Sequence, residues 1–152
     1  MKKQRLISLQ TIEESVSHAI VKARADVNVV LRSKGYKPLT FGSTSPIGIW
    51  RVLIRHWNIL SLRWKIRKTD VVFIQFPWIH NNKRKFYNNL FNSGAQVDCV
   101  IHDLDSFRYP DETKHNDELT QLNRCHSIIA HTEAMKDYLV KKGIDGGKIQ
   151  IL

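Results

Sequence analysis

Short apolar runs alternate with longer segments of helical periodicity along the whole chain, and this alternation is the strongest constraint on the fold. The run from Val71 to Phe76 is almost continuously apolar, which is typical of a strand covered on both faces. Further strands are predicted at 5–9, 38–41, 96–101, 126–130 and 149–152, and helices at 13–34, 46–68, 82–93, 111–124 and 132–142. Strands and helices in this order form right-handed βαβ units. The predicted fold class is therefore α/β, a Rossmann-like parallel sheet with helices on both faces.

The predicted helix ends carry the expected local signals. Ser45-Pro46 combines a capping residue with Pro at the first helical position. Gly35, Gly94 and Gly143 follow three of the helices as stop residues. The capping and stop residues thus support the predicted helix boundaries in addition to the periodicity.

Several classes of protein are excluded by what the chain lacks. No apolar stretch approaches the roughly 18 to 20 residues of a membrane-spanning helix, and the N-terminus does not read as a secretory signal. Cys99 and Cys125 are too few for a disulfide framework or a zinc site, and Cys99 is expected to be a small buried apolar residue. Neither a P-loop nor G-x-G-x-x-G is present. We expect a cytosolic protein that does not span the membrane.

The positive charge of the chain is concentrated in one segment. The chain carries a formal net charge of +10 over 152 residues. Between Val27 and Val97 lie twelve basic residues and one acid, Asp70, whereas the final third is neutral to acidic. A segment with this excess of cations favours an anionic partner.

The helix predicted at 46–68 admits three interpretations. Its most regular apolar stripe, which we expect to face the core, consists of Trp50, Leu53, Trp57, Leu60 and Trp64. Outside the stripe lie Arg51, Arg55, Arg63 and Lys65, interleaved with Val52, Ile59, Leu62 and Ile66. The helix could be a core helix with a solvated basic face, or could use those cations and aliphatic residues to contact an anionic membrane. Nucleic-acid binding is the weakest of the three, because tryptophans on the core side cannot stack on bases.

Polar side chains follow three of the predicted strands, where open parallel sheets bind their ligands. Gln75 lies at the end of one strand, and His131-Thr132 follows another. The densest cluster follows the strand at 96–101 and consists of His102, Asp103, Asp105, Ser106 and Arg108. These residues can supply a general base, carboxylates for sugar hydroxyls and a cation for a phosphate. The alternative is a turn whose side chains only cap the next element.

A metal site is not predicted. His102, His115, His126 and His131 lack the spacing of metal ligands. We therefore expect no metal, and the missing P-loop and G-x-G-x-x-G motifs indicate no cofactor either.

Five segments resemble the N-terminal domain of bacterial galactofuranosyltransferases, which are GT-B glycosyltransferases of surface polysaccharide synthesis. They are Lys22–Asp26, Gly35–Leu39, Asp70–Pro77, Ile101–Arg108 and Ala130–Lys136. The similarity extends over nearly the whole chain. Its most specific parts are the Gln-Phe-Pro strand end and the His-Asp-Leu-Asp-Ser-x-Arg loop.

The resemblance implies an acceptor-side domain that faces a donor-binding domain across a cleft. Sugar, expected to be galactofuranose from UDP-galactofuranose, would pass to a glycan or lipid-linked acceptor without an essential metal. His102 and Asp103 would be catalytic, one of them as the general base. Gln75, Asp105, Ser106 and Arg108 would bind substrate.

The resemblance also implies a location and a partner domain. A lipid-linked acceptor is consistent with a cytoplasmic enzyme held peripherally on the inner face of the cell membrane through Arg51, Arg55, Arg63 and Lys65. We expect residues 1–152 to be the N-terminal domain only, without the C-terminal donor-binding domain and therefore without turnover by themselves.

The chain departs from the family pattern in one loop, and its basic segment keeps a second hypothesis open. Where the family has a glycine before its Lys-Ala pair, residues 11–15 contain none. The basic segment would also suit a non-enzymatic Rossmann-like module that binds a protein or nucleic acid, although the transferase hypothesis predicts no nucleic-acid partner.

Overall fold

Six parallel strands form one sheet in the order β2-β1-β3-β4-β5-β6. The structure is a computed structural model that describes residues 4–11, 19–41, 48–77, 83–104, 106 and 112–152, apart from some helix side chains. The strands are β1 Leu6–Thr11, β2 Lys37–Phe41, β3 Val71–Phe76, β4 Gln96–Ile101, β5 Ser127–Ala130 and β6 Ile149–Ile151. The predicted α/β Rossmann-like class is confirmed.

In the described part of the chain, five α-helices alternate with these strands, and a 3-10 helix, Gly146–Lys148, precedes β6. The α-helices are α1 Ala19–Ser33, α2 Gly48–Lys65, α3 Lys83–Phe91, α4 Glu112–Asn123 and α5 Glu133–Lys141. Thr132 caps α5 by accepting a hydrogen bond from the Met135 amide. Gly35, Gly94 and Gly143 follow α1, α3 and α5 with φ between 75° and 91°, a conformation in which a side chain would be strained. The three stop residues predicted from the sequence are therefore confirmed.

The two faces of the sheet are covered unequally in the described part of the chain. The larger core joins the sheet to α2–α5, with Leu62, Phe86, Leu122 and Leu139 as fully buried contributors. Cys99, as expected, is buried in this core. On the opposite face, Leu31 of α1 packs with Phe73 and Val100 in a smaller cluster. Helices thus lie on both faces, with α1 on one and α2–α5 on the other.

The expectation that the tryptophan stripe of α2 faces the core is wrong. Trp50, Trp57 and Trp64 are 55%, 62% and 74% exposed. Buried instead are Ile59, Leu62 and Ile66, which were assigned to the outer side. Leu62 and Ile66 enter the core beside Phe86 and Leu90 of α3, and the Asn89 side chain donates to the Ile59 carbonyl at 3.1 Å. The helix is turned so that its tryptophans face outward.

A buried carboxylate holds the end of α2 in this orientation. Arg5 Nε donates to Asp70 Oδ1 at 2.9 Å, and Arg5 Nη2 also reaches the Lys65 carbonyl. The Arg67 amide donates to Asp70 Oδ2 at 2.7 Å. Burial acts to raise the pKa of Asp70, but the hydrogen bonds from Arg5 and Arg67 outweigh burial, and the pKa lies below its usual value. The start of β1, the end of α2 and the start of β3 are thereby joined.

Candidate functional site

The carboxyl ends of β3, β4 and β5, after which the sequence places polar side chains, lie side by side. Connections from β1 and β3 leave toward opposite edges of the sheet, since β2 is beside β1 and β4 is beside β3. In open α/β sheets this reversal of strand order marks the crevice in which ligands bind. The polar cluster therefore lies next to the expected ligand crevice.

The side-chain amide of Gln75 is the centre of the site. Gln75 is buried, and its Nε2 donates to the Arg24 carbonyl at 3.2 Å and to Asn28 Oδ1 at 2.7 Å. A backbone carbonyl only accepts hydrogen bonds, so these contacts require the amide nitrogen to face α1. Gln75 Oε1 must then face His102, whose Nε2 lies 2.7 Å away. The contacts with α1 thus determine which atom His102 meets.

His102 is held as a neutral imidazole with a defined tautomer. Because Gln75 Oε1 accepts, His102 Nε2 donates, and Nδ1 keeps the lone pair. Burial, with smaller contributions from Arg24 and His131, lowers the pKa of His102 to about 4. The His102 and His131 rings are 5.9 Å apart between centroids, at the ends of adjacent strands. At neutral pH, His102 can therefore accept a proton at Nδ1.

Arg24 brings positive charge to the same position. Although it is buried, its Nη2 donates to the Pro77 carbonyl at 2.6 Å, and its Nη1 is 3.4 Å from the Gln75 carbonyl. Pro77 follows a cis peptide bond at the end of β3. The guanidinium thus links α1 to the end of β3 and makes the surroundings of His102 more favourable to an anion.

The loop after β4 is anchored by its own side chains and by two later helices. Asp103 Oδ1 accepts from the Leu104 amide at 2.9 Å. The Ser106 amide donates to Glu118 Oε2 at 3.0 Å, and its carbonyl accepts from the Tyr138 hydroxyl at 3.1 Å. The Ser106 hydroxyl is buried and has no hydrogen-bond partner among the described residues. Such a hydroxyl can donate to a bound ligand and accept from it.

The structure describes only some of the predicted site residues. It brings Gln75 and His102 into direct contact and places Asp103 and Ser106 in the following loop. Asp105 and Arg108 lie outside the described residues, as do the side chains of Arg51 and Arg55. Arg63 and Lys65 are exposed near the end of α2, away from this cluster.

Two residues of the cluster, Arg24 and Asn28, were not predicted from the sequence; they lie in α1 about fifty residues before Gln75. A signal for Arg24 was present, since it is four residues after Ile20 and seven before Leu31 on the apolar stripe of that helix. A charged residue inside an apolar stripe indicates a buried partner. Glu118 and Tyr138 offered no comparable signal, because their contacts with Ser106 depend on how α4 and α5 pack.

The described residues form neither a metal site nor a membrane span. Within the described residues, no group of three or more His, Cys, Asp or Glu side chains is placed to hold a metal ion. Nor does any helix there have the length and apolar character needed to cross a membrane.

Comparison with known proteins identifies the family of the chain. None of the curated proteins matches the chain. The family model described as "Glucosyltransferase 3-like, N-terminal domain" matches residues 6–152, which is nearly the full length. The chain therefore belongs to the glucosyltransferase 3-like N-terminal domain family and is a glycosyltransferase N-terminal domain.

Proposed function

We propose that this domain holds the acceptor while a sugar passes from a nucleotide-sugar donor to an acceptor hydroxyl. The enzyme would be a GT-B glycosyltransferase of surface polysaccharide synthesis, and the acceptor a glycan or a lipid-linked sugar. The observation that carries the proposal is the hydrogen-bonded Gln75–His102 pair at the carboxyl ends of β3 and β4. Family membership supports a transferase over the non-enzymatic binding module.

The chemistry requires a group that accepts a proton. In glycosyl transfer, the acceptor oxygen bonds to the anomeric carbon while the bond from that carbon to the donor phosphate breaks. The nucleoside diphosphate leaves with the electron pair, and the acceptor hydroxyl loses its proton. His102 Nδ1 is suited to take that proton because the hydrogen bond from Nε2 to Gln75 orients the ring. Asp103 is the second candidate for this role.

The charge around His102 suits a phosphorylated substrate. Arg24 is buried beside the Gln75–His102 pair. A diphosphate is attracted by this charge, which acts strongly where water is excluded. Asp105, Ser106 and Arg108 are proposed to hold acceptor hydroxyls or a phosphate. For Ser106 this role is supported by its buried hydroxyl, which has no hydrogen-bond partner among the residues that the structure describes.

Two donors are proposed, each for its own reason. Resemblance of the Gln-Phe-Pro and His-Asp-Leu-Asp-Ser-x-Arg segments to galactofuranosyltransferases favours UDP-galactofuranose. The family description favours a glucosyl donor such as UDP-glucose. Either donor is proposed to bind mainly to a second domain, so that residues 1–152 alone give no turnover.

Sugar transfer by the enzyme that carries this domain tests the proposal. We expect His102→Gln to reduce transfer at least 100-fold, the usual contribution of a general base, whereas a loss of that size in Asp103→Asn alone would assign the base to Asp103. Assays with UDP-galactofuranose and UDP-glucose as alternative donors identify the sugar. Circular dichroism checks that both variants remain folded.

The matched control is His126→Gln. His126 is exposed and directly precedes β5, so it lies at the end of the strand away from the candidate site. This variant should transfer sugar at the rate of the parent enzyme. Full activity in the His102 and Asp103 variants would remove both residues from the mechanism. Transfer from neither donor would overturn the donor assignment.

A further inference from the structure

The outer side of α2 is an exposed apolar surface. Of the twelve large apolar side chains that are exposed in the described part of the chain, eight belong to this one helix. They are Ile49, Trp50, Val52, Leu53, Ile54, Trp57, Leu60 and Trp64, and we call them the Trp face. Trp57 and Trp64 pack against each other with ring centroids 6.2 Å apart. A contiguous apolar surface of this kind marks an interaction site.

Positive charge adjoins the Trp face. Arg63 and Lys65 are exposed in the last turn of α2, and the exposed Arg67 and Lys68 follow directly. The one acid between Val27 and Val97, Asp70, is buried and paired with Arg5. The partner of this surface must therefore accept apolar side chains and carry negative charge.

We propose that the Trp face docks on an anionic membrane surface. An amphipathic helix with tryptophans on its apolar side and cations beside them lies in the plane of the headgroup boundary. Tryptophan is enriched at that depth because its ring is apolar while its N–H stays near water. The cations add attraction to anionic lipids. This docking does not depend on the proposed sugar transfer.

The structure changes which residues make the contact. Sequence analysis assigned it to cations and aliphatic residues opposite the tryptophans, but Ile59, Leu62 and Ile66 of that set are buried in the core. The tryptophans and their exposed aliphatic neighbours are the inserted residues in the docking proposed here. Arg63 and Lys65 remain in contact with headgroups at the edge.

Other occupants fit this surface less well. In a symmetric pair of chains, the cations of one copy would face those of the other with no exposed acid from the same segment between them. Single-stranded nucleic acid binds in basic grooves with aromatic rings available for stacking. Here the tryptophans share a helix surface with five aliphatic side chains, which do not stack on bases.

The position of α2 relates the docked surface to the candidate site. Helix α2 follows the carboxyl end of β2 and returns toward the start of β3, so its Gly48 end lies at the edge of the sheet that carries Gln75 and His102. Its 18 residues extend for about 27 Å. A domain that lies on this helix keeps that edge beside the headgroup layer, within reach of a lipid-linked acceptor.

Vesicle binding tests the inference. The 152-residue chain is mixed with vesicles of phosphatidylcholine alone or with 30% phosphatidylglycerol, and binding is followed by co-sedimentation and tryptophan emission. We expect binding to the anionic vesicles with a blue shift in emission, weakened by salt. Arg63→Gln with Lys65→Gln should weaken binding about 30-fold. Trp57→Ser with Trp64→Ser should weaken co-sedimentation with the anionic vesicles, because it removes two of the inserted side chains.

Matched controls lie on α1 and at the residue that follows it, on the other side of the sheet. Arg32→Gln with Lys34→Gln removes the same charge, and Val29→Ser with Val30→Ser removes exposed apolar side chains. Both controls should bind like the parent chain. Equal binding by all variants, or none to anionic vesicles at low salt, would overturn the inference. So would a dimer, or a complex with single-stranded nucleic acid, that the tryptophan substitutions abolish.

Discussion

At the scale of single residues, one amide determines the chemistry of the candidate base. Gln75 faces the Arg24 carbonyl with its nitrogen and His102 with its oxygen. His102 therefore carries its proton on Nε2, and burial keeps the ring neutral over most of the pH range. A leucine at position 75 would preserve the size of the side chain but leave the His102 N–H without this acceptor.

The lowered pKa of His102 predicts a dependence of stability on pH. In an unfolded chain the histidine pKa is about 6.5, whereas in the folded protein it is about 4. Between these values the unfolded state binds a proton that the folded state does not, so the free energy of unfolding falls as the pH is lowered. Given the partial exposure of the ring, we expect a loss on the order of 2 kcal/mol from pH 6.5 to pH 4.

Urea unfolding of the chain and of His102→Gln across this pH range measures the effect. The variant lacks the titrating group, so its stability should fall less by about that amount. Parallel curves for the two proteins would show that His102 titrates alike in the folded and unfolded states.

At the scale of elements, α2 shows how far periodicity can orient a helix. One side carries the regular tryptophan stripe and another carries Ile59, Leu62 and Ile66, so the helix is apolar in two directions. Periodicity identifies both sides but does not say which one meets the sheet. Contact with α3 and the hydrogen bonds around Asp70 orient the helix so that Ile59, Leu62 and Ile66 are buried.

Paired substitutions in α2 test its orientation. Leu62→Ala should lower the free energy of unfolding by about 2 to 5 kcal/mol, because Leu62 is fully buried and its loss leaves a cavity. Trp57→Ala removes a larger side chain but should change stability by only about 0.5 kcal/mol, since Trp57 is 62% exposed. Chemical denaturation of both variants gives the comparison. A larger loss for Trp57→Ala would place the tryptophans in the core.

At the scale of the whole molecule, the two faces of the sheet differ in how strongly they are held. In the described part of the chain, α1 packs over a small cluster, whereas α2–α5 share the larger core. Elements with few buried apolar contacts open at lower free energy than the rest of a fold. Helix α1 also provides Arg24 and Asn28, so its opening would release Gln75 from the contacts that orient it.

Hydrogen exchange tests this difference between the faces. Leu31→Ala should speed amide exchange in α1 more than in α3, because Leu31 is the buried residue of α1 in the smaller cluster. Leu90→Ala, on the other face, should speed exchange across the strands and the helices that share the larger core. Equal acceleration of α1 and α3 in the Leu31 variant would indicate that the faces open together.

Spatial charge separation follows from the strand order. The basic segment from Val27 to Val97 includes β2, β3, α2 and α3, whereas the neutral-to-acidic final third includes α4, α5, β5 and β6. Because β2 lies at one edge and β6 at the other, the segregation along the chain becomes segregation across the sheet.

Sequence by itself determined the elements and the edge of the sheet that carries the candidate site. Strands such as Val71–Phe76, the glycine stops and the polar residues after β4 are local patterns, and local backbone preferences are enough to produce them. Tertiary structure alone decided that β1 lies between β2 and β3, that α2 turns its tryptophans outward and that Arg24 and Asn28 meet Gln75. Each of these depends on packing between segments that are distant in the chain. The periodicity of one segment does not specify which neighbouring segment will bury it.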